Sequence, residues 1–326
     1  MGKGETDIRP MKRFLVTGGA GFIGAAVSNR LAALGHFVRA LDDLSAGVPE
    51  RLHPNIVFHR GDVRDVPKLW TLLQDVDCVL HLAAKVSVQE SINFPSEYNS
   101  VNVGGTVALM EAMKVAGQVR RVVLASSGAV YGEQTVPLVD ETAAPQPESP
   151  YAVSKLAAEH YVRTLGKLNQ VETVILRIFN AYGPGQVIPP SNAPVVPLFL
   201  QQAIRHGSLV IHGDGFQSRD FIYIDDVVEA MVQASLTEGL DGSIINVGSG
   251  QETNIRELAA LVARVTGQEV EQVILMDGWG GVSRLVSSTE TMHLRLGVIP
   301  RFDLRSGLEQ MLALDPRFSE LRQKTD

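Results

Sequence analysis

The 326-residue chain is predicted to be an α/β protein, a doubly wound parallel sheet with a smaller C-terminal α/β lobe. Three observations lead there. Short apolar strand patterns alternate with helix patterns from residue 13 to about 250, the order that yields a parallel sheet covered by helices. The first strand runs straight into a glycine triplet and then a helix. Polar residues recur just past the carboxyl ends of strands, where open α/β sheets bind their ligands.

Arg13–Thr17 (R-F-L-V-T) reads as a short buried strand, followed by G-G-A-G-F-I-G and a helix-like A-A-V-S-N-R-L-A-A-L. Gly18 permits a tight turn, Gly21 lets the backbone approach a pyrophosphate, and Gly24 allows close helix–strand contact. Phe22 and Ile23 open the helix, whose free N–H groups and positive dipole end suit an anion. A second strand, Phe37–Leu41, ends at Asp42, eighteen residues past Gly24. An acid there can bind both hydroxyls of an adenine ribose and repel a 2′-phosphate, which favours NAD over NADP. The competing reading of Asp42 is a simple strand-end cap, and Asp43 is a weaker candidate.

A third strand leads to Asp62 and Val63, placed to flank the adenine. A fourth, V-D-C-V-L-H-L-A-A (76–84), puts Leu82, Ala83, Ala84 and Lys85 on the pyrophosphate and nicotinamide side. A long helix pattern from about Pro95 to Gly117 carries Asn102, which fits either a crevice or a solvated face. The fifth strand, 121–125, ends in S-S-G-A-V-Y-G. There Ser126 and Ser127 either reach the crevice or satisfy local backbone groups.

After a proline-rich loop comes S-P-Y-A-V-S-K (149–155). Pro150 suits a helix's first turn, and Tyr151 and Lys155, four apart, share one face. A free phenol has a pKa of about 10, so serving as a base near neutrality needs roughly 4 kcal/mol of differential stabilisation. A neighbouring ammonium supplies part of this and a nicotinamide cation more. The plainer reading is amphipathic packing beside a solvated lysine.

The sixth strand, 174–180, leads to a segment at 183–197 crowded with Gly183, Pro184, Gly185, Pro189, Pro190, Pro194 and Pro197. Such irregular backbone at the open end of a parallel sheet is where a substrate lobe would be built. Arg219 lies between a glycine turn and a strand. A helix capped by Asp225 or Asp226 follows, then a strand at 244–248, a helix from about Asn254 to Thr266, a strand at 272–275, a glycine loop carrying Arg284, and a last helix after Asp303. The expected division is 11–182 plus about 221–250 for cofactor, and about 183–220 plus 251–326 for substrate, behind a disordered leader at 1–10.

Hydrophobic content of 45% and charged content of 20% are ordinary for a globular protein with a real core. A net charge of −7 and the lack of a basic run argue against nucleic acid, and no apolar run approaches the length of a membrane span. The single cysteine, Cys78, excludes an internal disulfide and fits a reducing cytosol. No metal-ligand cluster is visible.

With these residues in hand, the chain resembles the extended short-chain dehydrogenase/reductase family, in its NAD-dependent nucleotide-sugar epimerase/dehydratase branch. The matching segments are the glycine loop, H-L-A-A (81–84), N-V-G-G-T (102–106), S-S-G-A-V-Y-G (126–132), Y-A-V-S-K (151–155), R-I-F-N-A-Y-G-P-G (177–185) and R-D-F-I-Y-I-D-D-V (219–227). The resemblance implies a Rossmann fold, NAD, and a catalytic triad of Ser127, Tyr151 and Lys155, with Tyr151 and Lys155 also touching the cofactor. It also implies nucleotide-sugar contacts from Ser127, Asn180, Val196, Arg219 and Arg284. The family's 4,6-dehydratases carry an Asp-Glu pair after the hydroxyl residue, whereas here Gly128 and Ala129 follow Ser127. The chemistry then implied is 4-epimerisation, as in the UDP-glucose 4-epimerase group. The alternatives are a dehydratase or net oxidoreductase on another UDP-, dTDP- or GDP-sugar, or a non-catalytic NAD-binding protein. The resemblance further implies a homodimer through helices near 95–116 and 151–168. The segment D-G-W-G-G-V-S-R (277–284) departs from the family's usual R-x-G-D-V, and Leu285 beside it borders the expected sugar pocket.

Overall fold

A computed structural model describes residues 11–276 and 281–318, apart from the side chain of His206. The expected leader at 1–10 and residues 277–280 of the atypical segment lie outside the described residues. In chain order the elements are β1 (Arg13–Thr17), α1 (Phe22–Ala33), β2 (Phe37–Asp42), β3 (Val57–Arg60), α2 (Val66–Leu72), β4 (Cys78–His81), α3 (Val88–Asn93), α4 (Pro95–Tyr98), α5 (Gly105–Ala116), β5 (Arg121–Ser127) and α6 (Pro150–Asn169). Then come β6 (Glu172–Ile178), β7 (Asn180–Tyr182), α7 (Val195–His206), β8 (Ser208–His212), β9 (Ser218–Tyr223), α8 (Ile224–Leu236), β10 (Ser243–Val247), β11 (Glu252–Asn254), α9 (Ile255–Thr266), β12 (Glu271–Leu275), β13 (Arg284–Leu285), α10 (Glu290–Leu296) and α11 (Leu304–Leu314).

Seven strands form one sheet in the order β10-β6-β5-β4-β1-β2-β3, with every neighbouring pair parallel. This is the doubly wound Rossmann arrangement. Alternation along the strands divides the core in two, because successive side chains leave a strand on opposite faces. Phe14, Val16, Leu80, Val123, Val174 and Leu176 point to the face covered by α1 and α8, packing with Val27, Leu31, Val227 and Met231. Leu15, Val79, Val122, Leu124 and Ile175 point to the other face and meet Leu69, Leu109, Met113 and Val162 from α2, α5 and α6. Side chains of this kind contribute about 1.5–3 kcal/mol each when fully buried.

Local chemistry sets the element ends. Ser149 caps α6 by accepting the Ala152 N–H at 3.1 Å, with Pro150 behind it. Asn254 and Glu257 form a reciprocal capping box on α9. A second, smaller sheet holds β9 at its centre, flanked by antiparallel β11 and parallel β13, with β7 beside its far half. Asp220, wholly buried on β9, ties this sheet down by accepting the backbone N–H groups of Ser249, Gly250 and Ser287. Strands β8 and β12 pair separately.

Several boundaries differ from expectation. The helix pattern at 95–117 is broken: α4 passes through a π turn at Asn99–Gly104 before α5 begins. The reason is tertiary, because the turn carries Asn102 against the segment after β4. The strand expected at 174–180 divides at Phe179, whose N–H bonds to Val247 of the large sheet while Asn180 starts β7 in the small one. The loop expected through residue 197 ends at Pro194. Pro197 sits in the first turn of α7, where its missing N–H costs nothing. Asp225 and Asp226 lie inside the first turn of α8, and Tyr223 occupies the cap position. Arg284 lies in β13, not in a loop.

Candidate active site

The carboxyl end of β5 and the start of α6 meet at the crevice, which brings Ser127 and Tyr151 together. The Ser127 hydroxyl is near enough to draw the Tyr151 phenol toward ionisation, and it accepts the Ala129 N–H at 3.2 Å. Tyr151 and Lys155 are both buried. Burial holds the Tyr151 phenol above its ordinary value, against the pull of the Ser127 hydroxyl. In the protein by itself, then, the larger effect opposes ionisation. Burial draws Lys155 down to about 8, with the charge of Glu159 working the other way, so the ammonium persists at neutral pH. Tyr98 stands edge-on to Tyr151, with ring centres 6.4 Å apart.

The space beside Ser127 is apolar. A Cβ built on Gly128 would lie 3.1 Å from the ring of Phe179, so that ring occupies the direction in which an acid at 128 would project.

The glycine loop has the shape its sequence requires. Gly18 takes φ +67, and a Cβ there would come within 2.7 Å of the Ala83 nitrogen. On Gly24 a Cβ would overlap the Gly18 carbonyl oxygen. Gly21 is the cap residue of α1 and supplies no capping side chain. Its bare Cα meets little beyond that same oxygen, so the end of the helix stays open to an anion at Phe22 and Ile23. Asp42 is buried and braces the loop, accepting the Ala20 N–H at 3.0 Å and the Leu44 N–H at 2.8 Å. Each oxygen keeps a lone pair for a further donor. These residues fit a dinucleotide.

The neighbouring candidates divide. Asp43 is exposed and caps its own turn through the Ser45 N–H. Asp62 is forked onto Arg64, which holds its carboxyl below the ordinary range. Val63 is buried under the start of α5. Leu82, Ala83 and Ala84 are half-buried along the crevice. Lys85 turns its ammonium to Glu97 and Glu90, which raise its pKa, Glu97 the more. The side chain of Asn102 is fully engaged within the protein. Its oxygen accepts the Lys85 N–H at 2.8 Å, and its nitrogen donates to the Lys85 carbonyl at 3.0 Å and the Ser154 hydroxyl at 2.8 Å. Asn102 thus holds the crevice wall to α6.

On the substrate side Asn180 is exposed at the start of β7. Val196 departs from expectation: in α7 it is buried in the core, where packing rather than ligand contact accounts for it. Arg219 is desolvated, which lowers its pKa against the opposing charge of Glu133, and its Nη1 donates to the Ser218 carbonyl at 2.7 Å. Arg284 is forked onto Glu252 through Nε at 2.9 Å and Nη2 at 2.7 Å, with Nη1 on the Val136 carbonyl at 3.0 Å. Glu133 accepts from both the N–H and the hydroxyl of Ser283. The sequence reading missed Glu133, Glu252, Glu159 and Phe179. Only Glu159, four residues past Lys155 on one helix face, carried a visible signal.

A doubly wound sheet with a glycine-lined helix end and a Ser–Tyr–Lys centre at its carboxyl edge defines a dinucleotide-dependent protein of the Rossmann class. The chain belongs to the NAD dependent epimerase/dehydratase family, whose model matches residues 14–248, and NAD is its cofactor. It is 37% identical over 303 residues to the UDP-glucose 4-epimerase of Mycolicibacterium smegmatis, covering 91% of this chain and 96% of that one. The dTDP-L-rhamnose 4-epimerase of Burkholderia thailandensis is 32% identical over 340 residues, covering 92% and 94%. Among solved structures, UDP-glucose 4-epimerase from Thermotoga maritima with UDP-glucose superposes with a TM-score of 0.89 at 31% identity, covering 96% of this chain and 100% of that one.

Proposed function

We propose that the protein is a nucleotide-sugar 4-epimerase acting on UDP-sugars, most simply interconverting UDP-glucose and UDP-galactose. The observation that carries this reading is the Ser127–Tyr151 pair at a crevice mouth whose adjoining space holds the Phe179 ring in place of a proton-moving acid. The similarity to two proteins named as 4-epimerases supports the reaction, and their different sugars leave the substrate to experiment.

NAD would lie across Gly18, Gly21, Phe22, Ile23 and Gly24, with its adenine ribose at Asp42 and its nicotinamide end toward Tyr151 and Lys155, and it supplies reversible hydride acceptance. Tyr151 takes the proton from the sugar 4-hydroxyl and later returns it. Ser127 holds that oxygen, and Lys155 keeps a positive charge beside the phenol. Arg219 binds the diphosphate, as a guanidinium fork suits. Epimerisation needs a ligand gripped by its nucleotide and loosely held by its hexose, so that the 4-keto sugar can turn over between the two hydride transfers. We assign the cofactor to 11–182 plus about 221–250 and the substrate to the remainder. We also infer a homodimer through α5 and α6, where Val153, Tyr161 and Leu168 are exposed along one helix face, in a reducing cytosol that suits the single buried thiol.

The test is purified protein with UDP-galactose. Formation of UDP-glucose without net NADH supports the reading. A lasting absorbance at 340 nm or a released keto product would assign a net oxidoreductase or dehydratase. No reaction with UDP-galactose or with its N-acetyl and uronic acid analogues would overturn the proposal.

A further inference from the structure

One turn beyond Lys155 on α6, Glu159 is 2% exposed. Its Oε1 accepts the Ser126 hydroxyl at 2.5 Å and Arg177 Nε at 3.0 Å, while Oε2 accepts Arg177 Nη2 at 2.7 Å. Ser126 and Arg177 are register partners on β5 and β6. A single carboxylate therefore fastens α6 to two neighbouring strands at their carboxyl ends, beside Ser127. Arg177 is itself 3% exposed. Its guanidinium sits 4.7 Å from the Tyr131 ring centre, and the Tyr131 hydroxyl donates to Asn246 at 2.7 Å.

A buried ion pair is weak evidence of a stabilising role, because desolvation offsets most of its attraction. Burial disfavours the charge on Lys155, and Glu159 is the group whose field opposes this. The other titratable groups around Lys155 are Tyr151 on its own helix, His81 on β4 and, behind Glu159, Arg177 on β6. His81 is fully buried between the hydroxyls of Thr17 and Thr106, and burial lowers it to about 3, so it is neutral and contributes no net charge.

We propose that Glu159 is a positioning residue for the reaction: it fixes the seat of α6 on β5 and β6 and, balanced by Arg177, supplies the negative field that keeps an ammonium on Lys155 beside Tyr151. This goes beyond the assignment of Ser127, Tyr151 and Lys155, and rests on it only through the turnover assay.

The experiment compares Glu159→Gln, Glu159→Asp and the charge-balanced Glu159→Gln/Arg177→Met. Glu159→Gln leaves a buried cation uncompensated, which favours loss of protons from both Lys155 and Tyr151. Both limbs of the kcat/KM pH profile then move to lower pH by about one unit. The double variant removes both charges, so its limbs fall between those of Glu159→Gln and the wild type, with kcat still reduced. Glu159→Asp keeps the charge, so kcat falls while the limbs stay in place. A second readout needs no substrate: each protein is titrated at 295 nm against its Tyr151→Phe counterpart, and the Tyr151 transition shifts with the limbs. Limbs and titration that stay put in Glu159→Gln while kcat and Tm fall would reduce Glu159 to a structural brace and overturn the proposal. Should Glu159→Gln not fold, Arg177→Met carries the same test with opposite sign, and an unmoved profile again overturns it. If the wild type epimerises no UDP-sugar, the titration at 295 nm still decides the matter.

Discussion

The two sides of the crevice are made of different material. On the cofactor side the surface is largely backbone: Gly18, Gly21 and Gly24 pack so closely that a methyl group has nowhere to go at two of them, and Asp42 braces the loop through N–H groups. On the side we propose for substrate it is built from charged side chains, Arg219, Arg284, Glu133 and Glu252, hung on short strands and partly wet. A backbone surface is rigid and fails all at once when altered. A half-exposed charge pair such as Arg284–Glu252 is adjustable, and by itself it is worth little.

The contrast can be broken first at Gly24. Gly24→Ala forces a Cβ onto the Gly18 carbonyl, backbone against backbone, where nothing flexible can yield. The expected cost is about 3 kcal/mol or more, read as loss of co-purifying NAD and a large fall in Tm. An alanine variant that retains NAD and Tm would show that the loop is not rigid.

A second test falls on the helix between the two sides. Lys155 stands at about 8 when folded against an ordinary 10.5. Between those values the unfolded chain holds the extra proton, so stability rises with pH across that window and the penalty is fully present below it. At pH 7 it amounts to roughly 3 kcal/mol. Lys155→Met should therefore melt higher than wild type at pH 7, lose activity, and show a flatter dependence of Tm on pH from 8 to 10.5.

The substrate side should respond in smaller steps. Arg219→Ala removes charge-assisted hydrogen bonds worth about 1.5–3 kcal/mol, so calorimetry should find UDP bound roughly ten- to a hundredfold more weakly with Tm little changed. Glu252→Gln releases Arg284 from its fork, and UDP should then bind more tightly by no more than about fivefold, the scale of a half-exposed ion pair. Weaker binding of UDP in Glu252→Gln would mean that Arg284 needs its partner in order to face the phosphates.

The same contrast explains what could be read from the sequence. The span from Arg13 through α1 was legible because strand alternation and glycine spacing are local, and the Tyr151–Lys155 face because helix geometry relates residues four apart. The break at Asn99–Gly104 was not legible, since it exists to bring Asn102 onto Lys85 and Ser154, contacts 17 and 52 residues away in the chain. Arg284 looked like a phosphate ligand by type, and its fork with Glu252 spans 32 residues. Val196 looked like a loop residue because Pro197 follows it, yet a helix accepts proline in its first turn. Glu159 lay within reach of the same spacing argument that found Lys155.

The Phe179 ring over Gly128 has a bearing on redesign. Anyone wishing to turn this scaffold toward eliminating water from a hexose would begin by grafting an acid at residue 128. That graft alone should be strained, because a Cβ at 128 already meets the aromatic ring at 3.1 Å, and the ring belongs to the very residue where the chain leaves one sheet for the other. The hinge between sheets and the choice of chemistry are thus fastened together, and a change of reaction would have to begin with a smaller side chain at 179.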